Sequence, residues 1–261
     1  MTTTTAQNLT VDGVGPVEVN FTERGQGRVF LLLHGGAGPQ SVNAFADLLA
    51  EAEPARVITP THPGFGGTPR PESLDSIRGL AAAYVELLAQ LDLIDVTVVG
   101  NSIGGWITAE MALLGSKRIS CIILVDAVGI DVPGHPVADF FALTMDQVAE
   151  LSYHDPDSFR IDISAMPPAQ QATMAGNRAA LAVYGGTPSM TDPTLSARLN
   201  AISVSTLVLW GDSDRIVDPD YGRAFAASIP NARFQLMTET GHVPQIESPQ
   251  KLLSAIRTLA D

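Results

Sequence analysis

The chain has 261 residues, and its 15 Lys and Arg against 28 Asp and Glu give a formal net charge of −13. This acidic excess argues against binding to nucleic acid, which requires a basic face, and against a polybasic membrane anchor. Hydrophobic residues make up 45% and charged residues 16%, which is typical of a globular chain with room for one α/β domain, with or without an insertion. The single cysteine, Cys121, excludes an intramolecular disulfide and a zinc site built from cysteines.

The start of the chain carries no pattern that predicts export or membrane insertion. Met1–Thr10 lacks both the basic region and the apolar run of a signal peptide. The strongest apolar runs are four to seven residues long, whereas a membrane-spanning helix needs about 20. We therefore expect a soluble, cytoplasmic protein.

Short runs rich in Val, Ile and Leu recur along the chain and end in Gly, Pro or Asp. Runs of this kind predict strands that are buried on both faces, and therefore a parallel sheet covered by helices. The predicted strands are Val17–Thr22, Val29–Leu33, Arg56–Thr59, Val96–Gly100, Ile119–Asp126, Thr206–Trp210 and Arg233–Met237, with a weaker one near Leu9–Val11.

Helical spacing separates several of these strands. Apolar side chains fall on one helical face over Leu80–Leu91, and similar patterns predict helices over Ile103–Leu114 and Pro249–Leu259. The pairs Asp218-Pro219 and Ser248-Pro249 are typical of helix starts. Strands that alternate with helices predict a doubly wound α/β sheet.

The alternation stops between about Asp131 and Ile202. This stretch contains short amphipathic patterns and polar segments, without a convincing buried strand. Insertions of this length in compact folds are often functional, for example as lids over a site. We therefore predict a core of residues 1–130 and 203–261, with a helical cap formed by residues 131–202.

The sharpest local motif is Gly100-Asn101-Ser102-Ile103-Gly104-Gly105, which joins a predicted strand to a predicted helix. A serine flanked by glycines in such a turn is typical of a nucleophile elbow. The turn is so tight that side chains at the flanking positions would clash, and it exposes the serine hydroxyl at a helix N-terminus. Ser102 is therefore the candidate nucleophile.

A second glycine-rich motif, His34-Gly35-Gly36-Ala37-Gly38, directly follows the predicted strand Val29–Leu33. Attack on an ester carbonyl creates an oxyanion, which is stabilised by backbone N–H groups already aimed at it. We predict that the amides of Gly36 and Ile103 form this oxyanion hole. The alternative is that the glycines only allow a tight exit from the strand.

Two further motifs supply a possible acid and base. Trp210-Gly211-Asp212-Ser213-Asp214 and Thr240-Gly241-His242 each follow a predicted strand. A neutral serine needs a base, and the base needs a carboxylate to fix its tautomer. The order Ser102, Asp214, His242 suits these roles; Asp212 is the nearest rival for the acid, and Asp126 is a more distant one.

The remaining histidines have weaker claims to catalysis. We expect His34 to orient the oxyanion loop, and His62 to lie on a turn near the pocket. His135 and His154 fall in the predicted cap and are expected at its surface. None of these residues forms a cluster with metal-ligand spacing, so no metal is predicted.

With these motifs, the chain resembles the α/β-hydrolase superfamily over nearly its whole length. The resemblance rests on the oxyanion motif, the serine elbow, Pro63-Gly64-Phe65-Gly66, Gly211–Asp214 and Gly241-His242. It implies an eight-stranded, mostly parallel sheet, a helical cap and no cofactor. It also implies that Asp214, three residues after Gly211, is the acid.

Two subgroups of this superfamily are similar to the chain. The elbow and the His34-Gly35-Gly36 motif resemble the meta-cleavage product hydrolases, which cut carbon–carbon bonds. In those enzymes tryptophan typically follows the catalytic histidine, where this chain has Val243, and a cap arginine binds the substrate carboxylate. Arg160 and Arg178 are the candidates for that arginine. General carboxylesterases tolerate all of these features.

The sequence therefore predicts a serine hydrolase that cleaves a small-molecule ester through an acyl-enzyme. The alternatives are a carbon–carbon bond hydrolase of the meta-cleavage type and a receptor that retains the triad but only senses a small ligand. The expected partner is a small molecule, without nucleic acid, membrane or cofactor. The sequence leaves the oligomeric state open.

Overall fold

The computed structural model describes residues 3–52, 54–186 and 190–258. An eight-stranded sheet runs through this part of the chain, in the order β1-β2-β4-β3-β5-β6-β7-β8. The strands are β1 (Thr3–Val11), β2 (Gly15–Gly25), β3 (Arg28–Leu33), β4 (Ala55–Thr61), β5 (Val96–Asn101), β6 (Ile119–Val125), β7 (Ser205–Gly211) and β8 (Arg233–Met237).

Helices connect and cover the strands. They are α1 (Gln40–Ala52), α2 (Ile77–Gln90), α3 (Ile103–Leu113), α4 (Met145–Ser152), α5 (Pro168–Gly185), α6 (Leu195–Arg198), α7 (Pro219–Ala227), α8 (Pro244–Glu247) and α9 (Pro249–Arg257). Short 3-10 turns follow α4 and α6. The predicted end of the last helix, Leu259, lies outside the described residues.

The pairing confirms a mostly parallel, doubly wound sheet. Strands β3 to β8 pair in parallel, whereas β1 and β2 are antiparallel to their neighbours. Strand β1 begins well before the predicted Leu9, because its polar first half pairs with β2 through the backbone while its side chains stay exposed. Such an edge segment lacks the apolar alternation from which a strand is predicted.

The inner strands contribute side chains to both faces of the sheet, as their continuous apolar runs predict. In β3, Leu31 and Leu33 join a core formed with α2, α3 and α7. Phe30 and Leu32 point to the other face, where α1 and α9 pack. The two faces thus bury alternate residues of the same strand.

Helix α1 was not predicted from the sequence. It buries Val42, Phe45, Ala46 and Leu49, which have the i, i+3, i+4, i+7 spacing of an amphipathic helix. Small and polar residues between these positions weaken the apolar signal.

The segment between β6 and β7 contains helices, as expected. Helices α4, α5 and α6 lie here, and Gly129 and Thr191 form an isolated bridge across the ends of the segment. Over the described parts of the chain, every helix is too short or too polar to cross a membrane.

The strand order creates a crevice beside β3. From β3 the chain passes to β4, which lies on one side of β3, and then to β5, which lies on the other side of β3. Loops that leave the carboxyl ends of two such strands diverge, and ligands bind in the gap between them. The loop after β3 carries the glycine-rich motif at His34, and β5 leads into the turn at Ser102.

We expect Gly104→Ala to destabilise the fold by about 1–3 kcal/mol, the usual effect of overpacking. A Cβ at this position would lie 2.5 Å from the Leu33 carbonyl oxygen and 2.7 Å from that of His34, so α3 would move off β3. Gly176→Ala in the exposed part of α5 has open space around it and should stabilise by roughly 0.5–1 kcal/mol. Thermal unfolding tests both, and equal shifts would contradict the packing argument.

Candidate active site

Ser102 occupies a strained turn between β5 and α3. Its φ of 56° and ψ of −120° lie in a region that ordinary residues avoid. The turn holds because Ser102 N–H donates to the Val125 carbonyl at 2.9 Å. The strand and the helix approach each other closely at this turn, because a Cβ on Gly100 would lie 2.1 Å from the Gly104 carbonyl oxygen. The glycines of the motif thus let the helix begin immediately beside the strand.

The two predicted oxyanion donors are free to bind. Within the part of the chain that the structure describes, the backbone N–H groups of Gly36 and Ile103 donate no hydrogen bond; Ile103 is the first residue of α3, where an N–H has no partner inside the helix. The glycine loop lies against the elbow, since a Cβ on Gly35 would be 3.1 Å from Ser102 Cβ. Leu181 of α5 packs over Gly36 from the other side.

His242 and Asp214 form a buried pair. His242 Nδ1 lies 2.8 Å from Asp214 Oδ2, and the other carboxylate oxygen accepts the N–H groups of Ile216 at 2.8 Å and Val217 at 3.1 Å. The Asp214 side chain is fully buried and that of His242 is 8% exposed. Because the carboxylate accepts the Nδ1 proton, Nε2 is left as a proton acceptor.

Asn101 ties the histidine loop to the elbow. Its side-chain Nδ2 donates to the His242 carbonyl oxygen at 2.8 Å and to that of Val125 at 3.2 Å. Its Oδ1 accepts a hydrogen bond of 3.0 Å from Gln245 Nε2. These buried contacts place the His242 loop beside the residue that precedes Ser102. No hydrogen bond from Ser102 Oγ is found among the described residues.

The sequence did not indicate this role for Asn101 or Gln245. The available signal was their position: an amide at the buried end of β5 and another three residues after His242. Buried amides need hydrogen-bond partners, and each of these supplies a partner for the other.

The rival acids have other partners. Asp212 is exposed and accepts hydrogen bonds from Ser213 Oγ at 2.8 Å and the Thr240 N–H at 3.4 Å. Asp126 is buried and accepts the Gly211 N–H at 2.8 Å. Burial and the neighbouring charge of Asp214 raise the pKa of Asp126 well above its ordinary value, which favours its neutral form. Asp214 is the acid that faces His242.

His34 and His62 form a buried framework under the oxyanion loop. His62 N–H donates to His34 Nε2 at 3.2 Å, so the His34 Nδ1 proton is directed to the Gly35 carbonyl at 2.7 Å. His62 Nε2 lies 2.9 Å from the His34 carbonyl, and its Nδ1 lies 2.5 Å from the Tyr84 hydroxyl. Burial lowers the pKa of His34 to about 4 and that of His62 well below its usual value. Both rings are therefore neutral supports.

The histidines between β6 and β7 have surface contacts. His154 is exposed, and its Nδ1 lies 2.8 Å from Ser213 Oγ. His135 Nδ1 lies 2.8 Å from Asp218 Oδ2. His135, Asp218 and Asp220 bring three possible metal-ligand atoms within 4.8 Å of one another. Asp218 already caps α7 through the amides of Asp220 and Tyr221, so we interpret the group as a helix cap with a paired histidine.

Both candidate cap arginines have structural partners. Arg160 contacts three acidic side chains, those of Asp146, Glu150 and Asp157. Arg178 of α5 donates to the carbonyl oxygens of Phe140 at 3.0 Å and Phe141 at 2.7 Å, and its guanidinium lies over both rings. Their contacts link parts of the segment between β6 and β7.

Comparison with known proteins identifies the family of the chain. The profile described as "Alpha/beta hydrolase family" matches residues 30–255, which is most of the chain. The chain belongs to the alpha/beta hydrolase family. The match includes all five residues predicted for catalysis and the oxyanion hole.

The relatives of this α/β-hydrolase include enzymes that cleave different bonds. It is 27% identical to 2-hydroxymuconate semialdehyde hydrolase of Pseudomonas putida, over 89% of this chain and 86% of that protein. It is also 27% identical to Lipase 3 of Moraxella sp. (strain TA144), over 90% of this chain and 78% of the lipase. A thermophilic esterase from Thermogutta terrifontis shares the fold, with a TM-score of 0.78, 24% identity and 98% coverage of both chains. The protein is therefore a hydrolase.

The two buried histidines should make the folded state sensitive to acid. An unfolded histidine takes up a proton below its ordinary pKa of 6.5, whereas folded His34 does so only near pH 4 and burial holds the pKa of folded His62 well below 6.5. The free energy of unfolding should therefore fall as the pH drops below about 6.5, by about 1.4 kcal/mol per pH unit for each ring that stays neutral in the folded state; for His34 the fall continues to about pH 4. Urea titrations at several pH values give the free energy of unfolding, and its change per pH unit should be smaller by that amount in His62→Gln. An unchanged slope would contradict the assignment.

Replacing Asp126 with asparagine should stabilise the protein at pH 7. The unfolded side chain releases its proton above its ordinary pKa of 3.8, whereas burial raises the pKa of the folded side chain well above that value, so rising pH opposes folding. Asparagine keeps an oxygen for the Gly211 N–H and never ionises. The gain in unfolding free energy should disappear below about pH 4. Asp126→Ala is the control: it also never ionises, but it leaves that N–H unpaired, so it should be less stable than Asp126→Asn by roughly 1–3 kcal/mol; equal stability of the two variants would contradict the argument.

Proposed function

We propose that this hydrolase cleaves small-molecule esters with Ser102 as nucleophile, His242 as base and Asp214 as the acid that orients His242. The observation that carries the proposal is the buried His242–Asp214 hydrogen bond of 2.8 Å, in a loop bonded through Asn101 to the elbow that bears Ser102. A base and a half-buried serine in a strained conformation are thereby held on adjacent loops. This is the arrangement that acyl transfer requires.

In the proposed reaction, His242 Nε2 takes the proton of Ser102 Oγ as the oxygen attacks the acyl carbonyl carbon. The negative charge that develops on the carbonyl oxygen is accepted by the free N–H groups of Gly36 and Ile103. His242 then returns the proton to the leaving alcohol, and the acyl group remains on Ser102. Water, deprotonated by the same imidazole, attacks the acyl-enzyme and releases the acid.

The segment of residues 131–202 acts in this proposal as a cap over the core of residues 1–130 and 203–261. Helix α5 supports that role most directly. Its Leu181 packs over the oxyanion glycine Gly36, and its Asn177 accepts a hydrogen bond of 2.8 Å from the Gly66 N–H. Tyr184, about one turn after Leu181, donates to the Pro63 carbonyl at 2.9 Å. One helix thus contacts both the loop at Gly36 and the loop at Pro63 and Gly66.

Carbon–carbon bond hydrolysis is the second candidate, and the similarity to 2-hydroxymuconate semialdehyde hydrolase favours it. Binding a carboxylate-bearing ring-fission product would require a cation at the pocket. Arg178 is engaged by backbone carbonyls and two aromatic rings, and Arg160 by three carboxylates. These contacts, together with Val243 after the catalytic histidine, make a neutral ester the better-supported substrate.

The Ser102→Ala variant tests the proposal. Hydrolysis of short 4-nitrophenyl esters should fall roughly 10²-fold or more, because both the nucleophile and the acyl-enzyme are lost, while circular dichroism and the melting temperature stay close to wild type. Ser254→Ala, which removes an exposed hydroxyl on α9, should retain full activity. Full esterase activity in Ser102→Ala would refute the assignment.

The same assay separates the alternatives. A wild-type rate on a ring-fission dienone carboxylate that exceeds the rate on every ester would favour the carbon–carbon hydrolase. Slow labelling of Ser102 by a fluorophosphonate, with fewer than a few turnovers of any ester, would instead favour a ligand-sensing protein.

A further inference from the structure

Glu247 is an acidic side chain that lies five residues after His242, at the end of α8. Its two carboxylate oxygens accept three backbone N–H groups from two separate parts of the chain. Oε2 accepts the N–H of Gly241 at 2.6 Å. Oε1 accepts the N–H groups of His154 at 2.7 Å and Asp155 at 3.1 Å. Charge-assisted hydrogen bonds of this kind are among the stronger ones in proteins.

The two ends of this bridge have different roles in the proposed reaction. Gly241 directly precedes the base His242. His154 and Asp155 directly follow α4, in the segment that we assign to the cap. We call Glu247 and the three amides that it binds the clamp.

Other hydrogen bonds join neighbouring cap residues, at the end of α4, to the loops that carry the base and the acid. His242 N–H donates to the Ser152 carbonyl oxygen at 2.7 Å, and Arg215 N–H donates to that of Leu151 at 2.9 Å. The approach at Gly241 is close, because a Cβ there would lie 2.2 Å from the Ser152 carbonyl oxygen. The end of α4 is therefore packed directly against the loops that carry His242 and Asp214.

We propose that Glu247 is a positioning residue that couples the seating of the cap to the placement of His242. The proposal rests on the proposed function, since it requires His242 to be the base. One carboxylate fixes both sides, so displacement of the cap residues would pull on the amide next to the base. A group that positions a catalytic side chain affects the rate strongly, because a misplacement of about 1 Å can reduce it about 10²-fold.

Glu247→Gln is a sharp test because it changes few atoms. A glutamine amide has one accepting oxygen and one donating nitrogen. If the oxygen faces Gly241, the NH₂ group faces the N–H groups of His154 and Asp155; if it is turned, the NH₂ group faces Gly241. Either orientation keeps the hydrogen bonds at one end of the clamp and places a donor NH₂ group against the backbone N–H at the other end.

We expect Glu247→Gln to lower kcat on a short ester by about 10- to 100-fold, with little change in KM and with the folded fraction unchanged by circular dichroism. Hydrogen exchange should become faster at Gly241 or at His154 and Asp155. Glu247→Ala should lower kcat at least as much. Should the alanine variant fail to fold, the glutamine variant still decides the question.

Glu239→Gln is the matched control. It removes the same charge eight residues earlier in the chain, from an exposed side chain whose ion-pair partner is Lys251 at 3.6 Å. It should keep the wild-type kcat.

The outcomes are distinguishable. If Ser102→Ala is inactive but Glu247→Gln retains kcat within twofold of wild type, the clamp is wrong and the proposed function stands. A fall in activity that only matches a loss of folded protein also overturns the clamp, since it indicates a structural role alone. If Ser102→Ala remains active, the proposed function and the inference that rests on it both fail.

Discussion

The arrangement of the site depends on the close approach of α3 to the end of β5. Gly100 and Gly104 touch there with no space for a Cβ between them, and Gly104 also lies against the carbonyl oxygens of the β3 exit. This packing turns the chain through Ser102 at a positive φ and leaves the Ile103 N–H without a partner inside the helix. One steric constraint therefore sets the conformation of Ser102, leaves beside it a backbone N–H that can bind an anion, and brings the glycine loop after β3 alongside.

Around this turn, buried polar groups fix loops that the hydrophobic core cannot fix. Apolar packing is non-directional, so it holds sheet and helices together without setting the angle of an imidazole. The hydrogen bonds of Asn101, of the His34–His62 pair and of Asp214 supply that direction. Each is buried, so its loss would leave an unpaired polar group, which is costly in a medium without water. The free-energy cost of breaking these hydrogen bonds thus keeps the side chains of the site in their orientations.

The sequence predicts most of the sheet and singles out the residues of the candidate site, because both depend on residue type. Parallel strands appear as apolar runs, and the elbow needs its glycines. The polar half of β1 and the helix α1 escape prediction because their apolar patterns are weak. The role that we propose for Glu247 is not predictable from the sequence for a different reason. Its partners are backbone amides up to 93 residues away, and backbone amides are the same in every sequence. Asn101 and Gln245 are visible as residue types, but only the folded loops reveal that they meet.

The electrostatics of the chain connect these observations to substrate choice. A net charge of −13 repels anions at long range, and a local cation would be needed to offset that effect. Arg178, on the helix that covers the oxyanion loop, directs its guanidinium to carbonyl oxygens of residues 140 and 141. Redirecting it towards a substrate carboxylate would leave those carbonyls without their donor and remove the stacking on two phenylalanine rings. An anionic substrate would have to overcome both the long-range repulsion and this local rearrangement, whereas a neutral ester meets neither.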